Sequence, residues 1–372
     1  MPTPSPSAPT SERLFSLDAL RGMDMLCILG VEELASALAK AESNTLTRTF
    51  AEQMEHVPWE GFHALDLVFP LFLFCSGAAL AYSIPKAVQS RGVLGALGRI
   101  ASRMVLLYAL GVIYYGGFSK GWDEVRWVGV LQRIAICSGV VGLMLCFMNQ
   151  IGRVVSFIAI LVGYWLLMMF VPGSSGERSF AEGPEHNVVN WFDYAYLPGK
   201  RWDGTHDPEG VLSTIPALAS CLLGALCADF VKSHPGPPVK KGVALIVGGA
   251  VLIALGWLWG LQFPVIKKLW TSSYVLVAGG WSALLFGVLY LVVDIWKLRT
   301  WALGFVWIGM NAILLYMSRR LINLDDLSAA LVGGPIGELA GRFGPVLVPL
   351  GVVVLNLALA RFLYQRRVFL RV

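Results

Sequence analysis

Long apolar runs recur along the chain, and no other feature limits its fold as strongly. Hydrophobic residues make up 56% of the 372 residues and charged residues only 14%, whereas soluble domains carry about 25% charged residues. A helix that crosses a bilayer needs about 20 mostly apolar residues. The runs predict an all-α polytopic membrane protein with about ten transmembrane helices in one bundle. The predicted spans are residues 17–39, 64–84, 99–118, 128–148, 153–171, 211–231, 242–262, 273–293, 300–319 and 345–365.

The segments between these spans predict the domain organisation. Residues 1–12 are rich in Pro and Ser and lack the basic start of a signal peptide, so we expect a disordered N-terminal tail. Residues 13–372 then form a single transmembrane domain, with residues 172–210 as a long extracytoplasmic loop. We expect residues 325–344 to form a short re-entrant or interfacial helix.

The distribution of Lys and Arg predicts the orientation in the membrane. One set of short connections is rich in basic residues and poor in acids, whereas the opposite set carries most of the acids. Because cytoplasmic loops hold the excess of Lys and Arg, we expect both termini in the cytoplasm and His56 outside. No basic patch is interleaved with aromatic residues, which argues against nucleic acid as a partner.

The cysteines are predicted to be structural. All six fall inside predicted spans, and none forms a CxxC pair. Cysteines of this kind usually pack as small apolar residues, so we expect neither a disulfide nor a metal site.

The stretch HVPWEGFHALDLVFPLFLFCSG, which begins at His56, is the strongest candidate for a reactive site. His56, Trp59, Glu60 and His63 crowd one short polar segment, and Asp66 opens the apolar run that follows. Titratable groups at a membrane edge cost free energy unless they have partners or a function. His63 can share a helical face with Asp66. Capping of the helix is the alternative role for Asp66.

The first predicted span carries four charged residues: Asp18, Arg21, Asp24 and Glu32. At about 100° per residue, all four fall within one third of the surface of a continuous helix. Such a face cannot meet lipid. It is either a structural stripe of ion pairs inside the bundle or one wall of a polar cavity.

Gln132 and Arg133 lie about one turn inside the outer end of the fourth predicted span. An arginine at membrane depth needs a carboxylate or carbonyl groups as partners. Arg133 either forms a salt bridge with Asp66, Asp24 or Glu32, or directs its charge towards a developing oxyanion.

Three further polar positions lie at the rim or inside later spans. Trp270 and Ser272 enter the eighth predicted span from outside, and Asn311 lies in the ninth. A buried amide needs partners and can contact a ligand, although hydrogen bonding between helices is the more common role.

Six motifs are spread along nearly the whole chain after residue 12. They are SLDALRGMDM at 16–25, HVPWEGFHALDLVFPLFLFCSG at 56–77, GVLQRIA at 129–135, DPEGVLSTIPA at 207–217, LWTSSYVL at 269–276 and GMNAILLY at 309–316. Together they resemble the heparan-α-glucosaminide N-acetyltransferase family and its bacterial relatives, which are membrane-bound amino-sugar acetyltransferases. The HxxWxG and DLVFP block is the most specific part of this resemblance.

The resemblance implies transfer of an acetyl group from cytoplasmic acetyl-CoA to the amine of a glucosamine-type sugar. It implies that His56 is the active histidine and Asp66 the acid that accompanies it, with no metal. The human member of the family has an asparagine where this chain has Glu32, so we expect the size or orientation of the acceptor to differ. Direct transfer and an acetyl-histidine intermediate both stay open.

The remaining candidate residues form two groups. The residues expected to bind the acceptor are Glu32, Trp59, Gln132, Arg133, Trp270, Ser272 and Asn311. The residues expected to hold the phosphates of coenzyme A are Arg21, Arg99 and Arg103. The excess of basic residues on cytoplasmic sides explains each of these three arginines without any ligand, and for each one taken singly it is the preferred explanation.

The expected location is the cell (inner) membrane, with several crossings of the bilayer. A homodimer is one assembly to test. Two other functions fit the same features. One is a permease for a small sugar or organic cation that uses the charged face of the first span as its path. The other is an O-acetyltransferase that acts on a cell-surface glycan.

Overall fold

The computed structural model describes residues 14–119 and 121–370, and the predicted tail at residues 1–12 lies outside these ranges. Within them the chain is built of helices, joined by connections that include isolated β-bridges. The helices are α1 (Phe15–Leu26), α2 (Glu32–Ala41), α3 (Thr45–Gln53), α4 (Val68–Tyr114), α5 (Val130–Phe147), α6 (Gln150–Phe170), α7 (Val188–Tyr196), α8 (Thr214–Ser233), α9 (Pro238–Gly260), α10 (Ser272–Leu289), α11 (Leu303–Met310), α12 (Ala312–Leu321), α13 (Leu324–Val332), α14 (Pro335–Leu339) and α15 (Gly344–Gln365).

Seven helical segments in the described ranges are long and apolar enough to cross a membrane. Helices α11 and α12, which meet at a bend of 63°, make an eighth if the pair counts as one span. The predicted all-α membrane class is therefore confirmed, whereas ten crossings stay a prediction. The segment 325–344, expected to form one short re-entrant or interfacial helix, contains the short helices α13 and α14, and its position relative to the membrane stays a prediction.

Helix α4 contains two predicted spans in one element. As a straight rod its 47 residues would measure about 70 Å, more than twice the hydrocarbon thickness of about 30 Å. Gly92 interrupts it with φ of 69° and ψ of 176°, a conformation that glycine adopts far more readily than other residues. Beyond Gly92 the chain turns back, since Nη2 of Arg103 lies 3.3 Å from Oγ of Ser76 on the first arm.

The first predicted span, residues 17–39, is not one continuous helix. A non-helical backbone at Gly30, with φ of 128°, separates α1 from α2. Gly30 packs against α15, where an added Cβ would lie 3.2 Å from the side chain of Val353. The single charged face predicted for this span is therefore wrong beyond the break, because the position of Glu32 cannot be counted along one helix.

Helices α4 and α8 cross at two glycines. A Cβ on Gly77 would lie 1.7 Å from the carbonyl oxygen of Cys221, and a Cβ on Gly224 would lie 1.9 Å from that of Phe74. Small residues at an interface let two backbones approach this closely inside a membrane. The crossing fixes the first arm of α4, at whose start Asp66 is found.

A short backbone pairing joins the segment before α4 to the segment before α10. Glu60 and Ile266 form an isolated antiparallel bridge, and the N–H of Gly61 donates to the carbonyl oxygen of Val265 at 2.9 Å. Two segments that are far apart in sequence therefore lie side by side at the start of α4.

Candidate functional site

His56, Asp66 and Lys267 form a cluster of three titratable side chains. Nδ1 of His56 lies 2.9 Å from Oδ1 of Asp66, and Nζ of Lys267 lies 2.9 Å from Nδ1 and 3.1 Å from Nε2 of the same imidazole. Nζ of Lys267 is also 3.3 Å from Oδ1 of Asp66. The side chain of Asp66 is 1% exposed, whereas that of His56 is 54% exposed. The cluster thus presents an accessible imidazole supported by a buried carboxylate.

Backbone groups hold Asp66 in place. Its Oδ2 accepts the N–H groups of His63 at 3.0 Å and Val57 at 3.3 Å, and the hydroxyl of Tyr274 donates to its carbonyl oxygen at 2.7 Å. The imidazole of His63 instead contacts the carbonyl oxygen of Glu55 at 3.0 Å. The expected partnership of the His63 side chain with Asp66 is therefore replaced by a backbone contact, and Asp66 combines capping with the His56 contact.

Sequence reasoning did not bring Lys267 to this site. Its contact with His56 spans 211 residues and depends on the bridge between Glu60 and Ile266. The available signal was a pair of lysines directly before the LWTSSYVL motif. Burial lowers the pKa of Lys267, and the neighbouring carboxylate of Asp66 opposes this shift.

A cavity of about 290 Å³ lies beside the cluster. His56 and Lys267 line it together with two carboxylates, Glu32 and Glu209. Aromatic side chains form much of the remaining wall, namely Phe69, Phe72, Tyr114, Tyr115, Trp202 and Tyr316. The cavity can therefore receive a small polar ligand that carries positive charge and an apolar face.

A buried ion cluster, which we call the outer latch, supports one wall of the cavity. Nε and Nη2 of Arg126 donate to the two carboxylate oxygens of Asp207 at 2.9 and 2.7 Å, and Nη2 also donates to Glu209 at 2.6 Å. The guanidinium of Arg126 lies 4.3 Å from the ring centroid of Tyr115 and 4.7 Å from that of Trp202. Burial, with the nearby charge of Asp207, raises the pKa of Glu209 against the opposing effect of Arg126.

Asp193 on α7 lies directly beneath the outer latch. Its carboxylate accepts the backbone N–H groups of Val211 at 3.1 Å and Asp207 at 3.4 Å. Burial is the main cause that raises the pKa of Asp193 to about 6. The sequence analysis includes Asp207 and Glu209 only within the motif at residues 207–217 and misses both Arg126 and Asp193, because no local pattern links these positions.

Gln132 and Arg133 lie in the interior behind the cavity wall, and each is 1% exposed. Arg133 Nη2 donates to the carbonyl oxygen of Gly210 at 3.1 Å and to the hydroxyl of Ser213, in place of the expected carboxylate. Its Nε and Nη1 have no hydrogen-bond partner within the described part of the chain. Gln132 Nε2 donates to the carbonyl oxygen of Arg126 at 3.2 Å, so both residues brace the latch region from inside.

Of the residues expected to bind an acceptor, Glu32 lines the cavity. Four others make hydrogen bonds elsewhere in the protein: Trp59 donates to the carbonyl oxygen of Phe180 at 2.6 Å, Trp270 to the hydroxyl of Ser220 at 3.1 Å, Ser272 to the carbonyl oxygen of Leu161 at 2.7 Å and Asn311 to that of Trp307 at 3.3 Å. The contacts of Trp59, Trp270 and Ser272 join separate segments, whereas that of Asn311 stays within one helical turn at the end of α11.

The three arginines expected to hold phosphates approach one region of α4. Arg99 and Arg103 line a second cavity of about 180 Å³, and Nε of Arg103 is buried with no hydrogen-bond partner in the described ranges. Nη2 of Arg21 lies 3.4 Å from the carbonyl oxygen of Cys75, next to the Ser76 that contacts Arg103. The region therefore has unpaired donors suited to an anion.

Among the described residues, Glu182, Asp203 and His206 have the donor set of a metal site, with ligand atoms within 4.8 Å of one another. Nζ of Lys268, however, lies 2.9 Å from a carboxylate oxygen of Glu182 and of Asp203. The ammonium already forms an ion pair with each of the two acids, so we interpret this group as an ion-pair cluster.

The sequence of this chain is similar to those of known proteins. Heparan-alpha-glucosaminide N-acetyltransferase from Homo sapiens and its namesake from Mus musculus are each 26% identical to this chain over 325 residues, which cover 72% of the chain. The chain spans about half of the length of these relatives, 49% in each case. A family model described as a domain of unknown function (DUF5009) matches residues 13–189. The resemblance inferred from the motifs is thus confirmed: this is a helical membrane protein similar to heparan-alpha-glucosaminide N-acetyltransferase.

Proposed function

We propose that the protein transfers an acetyl group from acetyl-CoA to the amine of a glucosamine-type sugar, with His56 as base and Asp66 as its partner. The contact of 2.9 Å between His56 and Asp66 at the edge of a cavity carries the proposal. Similarity to N-acetyltransferases supports it. Acetyl transfer to an amine needs a positioned proton acceptor, and an imidazole held by a carboxylate is suited to that task.

A single imidazole, that of His56, can both accept and return the proton that moves in the reaction. A carboxylate that accepts the Nδ1–H of His56 leaves a lone pair on Nε2. The amine nitrogen attacks the thioester carbonyl carbon, an N–C bond forms, and Nε2 takes the amine proton. The C–S bond then breaks, and the imidazolium returns the proton to the leaving thiolate. Asp66 stabilises the imidazolium between the two steps.

The donor fits the arginine region of α4. Phosphate groups pair well with guanidinium donors, and Arg103 has a buried nitrogen without a partner among the residues described here. Ser76 is ten residues beyond Asp66, about 15 Å along a helix. We infer that Arg21, Arg99 and Arg103 bind the phosphates of coenzyme A while its extended pantetheine arm reaches towards His56.

The acceptor fits the cavity beside His56. A volume of about 290 Å³ lies at the lower end of the range of about 300–1,000 Å³ for small-molecule pockets. This size favours a single amino sugar or a short oligosaccharide over a long chain. The carboxylates of Glu32 and Glu209 would attract the amine, and the aromatic wall would stack against the sugar ring.

A transmembrane reaction requires a defined orientation. We infer ten crossings by a single domain over residues 13–372, with both termini in the cytoplasm and a location in the inner membrane. The basic connections support this orientation. The site at His56 and the loop at residues 172–210 would then face the extracytoplasmic side, and the arginines that bind coenzyme A would face the cytoplasm.

The test compares two histidine variants in detergent-solubilised protein supplied with acetyl-CoA and glucosamine. Wild-type protein and His234→Ala should release free thiol at equal rates, because His234 stacks on Phe230 at the end of α8. His56→Ala should release thiol at least 100-fold more slowly, since a general base contributes about 10²–10⁴ in rate. Thiol release by His56→Ala at the wild-type rate would show that the base is another group.

The same preparation separates the competing functions. Mass spectrometry should detect N-acetylglucosamine as the product from glucosamine. Acetylation of N-acetylglucosamine, which has no free amine, would identify an O-acetyltransferase instead. Uptake of unmodified glucosamine into proteoliposomes without acetyl-CoA would identify a permease.

A further inference from the structure

Lys267 makes an unusual contact with the imidazole of His56. Its Nζ lies within hydrogen-bond distance of both ring nitrogens, at 2.9 Å from Nδ1 and 3.1 Å from Nε2. It also lies 3.3 Å from Oδ1 of Asp66. Two basic side chains therefore share one carboxylate, and the protonation state of each depends on the other.

Hydrogen-bond chemistry limits the charge states of this trio. An imidazolium has two N–H donors and no acceptor, and an ammonium has three donors and no acceptor. If both bases were protonated, they would face each other as donors with like charges at about 3 Å. If His56 is neutral, Asp66 accepts its Nδ1–H and the ammonium faces no second cation. Nζ lies almost equally far from both ring nitrogens, so the ammonium sits across the ring and leaves the in-plane lone pair of Nε2 free to accept a proton.

The intrinsic affinities of the two bases decide which one holds the proton. A free lysine has a pKa near 10.4 and a free histidine near 6.5. Burial lowers the pKa of Lys267, but Asp66, Glu209 and Glu32 oppose this shift. These three carboxylates approach Lys267 from the start of α4, from the turn before α8 and from α2. The proton therefore stays on Lys267.

We propose that the ammonium of Lys267 holds His56 in its neutral, proton-accepting form, so that the imidazole remains a base under acidic conditions. Lys267 is a positioning residue in this role, because it acts through His56. The inference rests on the proposed function for its catalytic meaning, although the protonation state of His56 can be measured without any turnover.

The experiment measures the reaction of His56 with diethyl pyrocarbonate, which modifies neutral imidazole, between pH 4.5 and 8. Fragment-ion mass spectrometry separates His56 from the neighbouring His63. The midpoint of modification at His56 is compared between wild-type protein and variants at Lys267. In Lys267→Met the midpoint should rise by about one pH unit or more, because the remaining carboxylate of Asp66 then favours the imidazolium.

Two further variants make the result decisive. Lys268→Met removes the adjacent lysine, whose ammonium contacts Glu182 and Asp203, and should leave the midpoint unchanged. Lys267→Arg keeps the positive charge and should keep the midpoint close to that of wild-type protein. If Lys267→Met and wild-type protein show the same midpoint, the inference is wrong.

The pH profile of kcat/KM for thiol release distinguishes this inference from the proposed function. The acid limb should move upward with the midpoint in Lys267→Met, whereas a purely structural role would lower the whole profile without moving it. A shifted midpoint in a protein without acetyl transfer would overturn the proposed function and leave the role of Lys267 intact. Acetyl transfer with an unshifted midpoint would overturn the role of Lys267 and leave the proposed function intact.

Discussion

Two charged clusters border the same cavity, and they differ in how fully their charges are paired. In the outer latch, the side chain of Arg126 is 5% exposed and donates to both Asp207 and Glu209. At the reactive cluster, two bases share Asp66 and the imidazole of His56 is 54% exposed. A buried guanidinium paired with two carboxylates is not available for proton transfer, whereas an accessible imidazole is. The comparison indicates a structural role for the outer latch and a role in proton transfer for His56.

The largest expected effect follows from breaking the latch. Arg126→Met leaves two carboxylates near one another without their shared cation, and removal of one partner from a buried pair costs about 3–5 kcal/mol. The melting temperature of the solubilised protein should fall sharply. His56→Ala should leave it unchanged, because an exposed side chain with one buried partner contributes little to stability.

Two variants check the cause of this loss. Lys200→Met removes an exposed charge from the connection between α7 and α8 that also holds Asp207, and it should not change the melting temperature. Adding Asp207→Asn and Glu209→Gln to Arg126→Met should recover part of the loss, because no unpaired charge then remains. A triple variant as unstable as the single one would mean that Arg126 acts through packing on Tyr115 and Trp202.

The two clusters also differ in how much of them the sequence predicts. The motif around His56 and Asp66 is local, so polar residues at the start of an apolar run were enough to identify both. Arg126 and Lys267 contact partners that are 81 and 211 residues away in the sequence. No local sequence pattern predicts contacts between residues so far apart along the chain. The helices were predictable because hydropathy is a property of each segment alone.

The two breaks inside helices differ in how far the sequence predicts them. Gly92 interrupts α4 within the connection expected between the spans 64–84 and 99–118, so hydropathy predicts a break there. Gly30 separates α1 from α2 because α15 packs against it, and that partner lies at the other end of the chain. Helical periodicity cannot predict a change in backbone geometry that depends on packing against a distant element.

A second prediction tests how the latch responds to pH. Burial raises the pKa of Asp193 to about 6 from an ordinary value of 3.8, so the folded state binds this proton more tightly than the unfolded state. The resulting stabilisation is present below about pH 4 and is lost as pH rises through about 6. It amounts to about 3 kcal/mol. Melting temperatures between pH 4 and 7 measure it.

Asp193→Asn should flatten this dependence, because an amide does not titrate over the range. Asp123→Asn, at an exposed acid in another loop, serves as the control and should retain the wild-type slope. An unchanged slope in Asp193→Asn would locate the titrating group elsewhere. Loss of the slope would connect the stability of the latch to the carboxylate beneath it.

The smallest expected effect concerns the exposed acid that faces the reactive cluster across the cavity. Glu32 lines the cavity, and an exposed ion pair is worth about 0.2–1 kcal/mol. Glu32→Gln should therefore raise KM for the amino sugar about threefold and leave kcat and the melting temperature unchanged. Steady-state kinetics at saturating acetyl-CoA measure both constants.

Glu33→Gln is the matched control, since Glu33 is the adjacent acid and pairs with Arg319 at 3.0 Å instead of lining the cavity. It should leave KM unchanged. Glu209→Gln should differ from both, because Glu209 belongs to the latch and lines the cavity as well, so it should raise KM and lower the melting temperature together. If Glu32→Gln lowered kcat with KM unchanged, Glu32 would act on the reacting groups rather than on acceptor binding. Helix α2 would then contribute to the reactive cluster as well as lining the cavity.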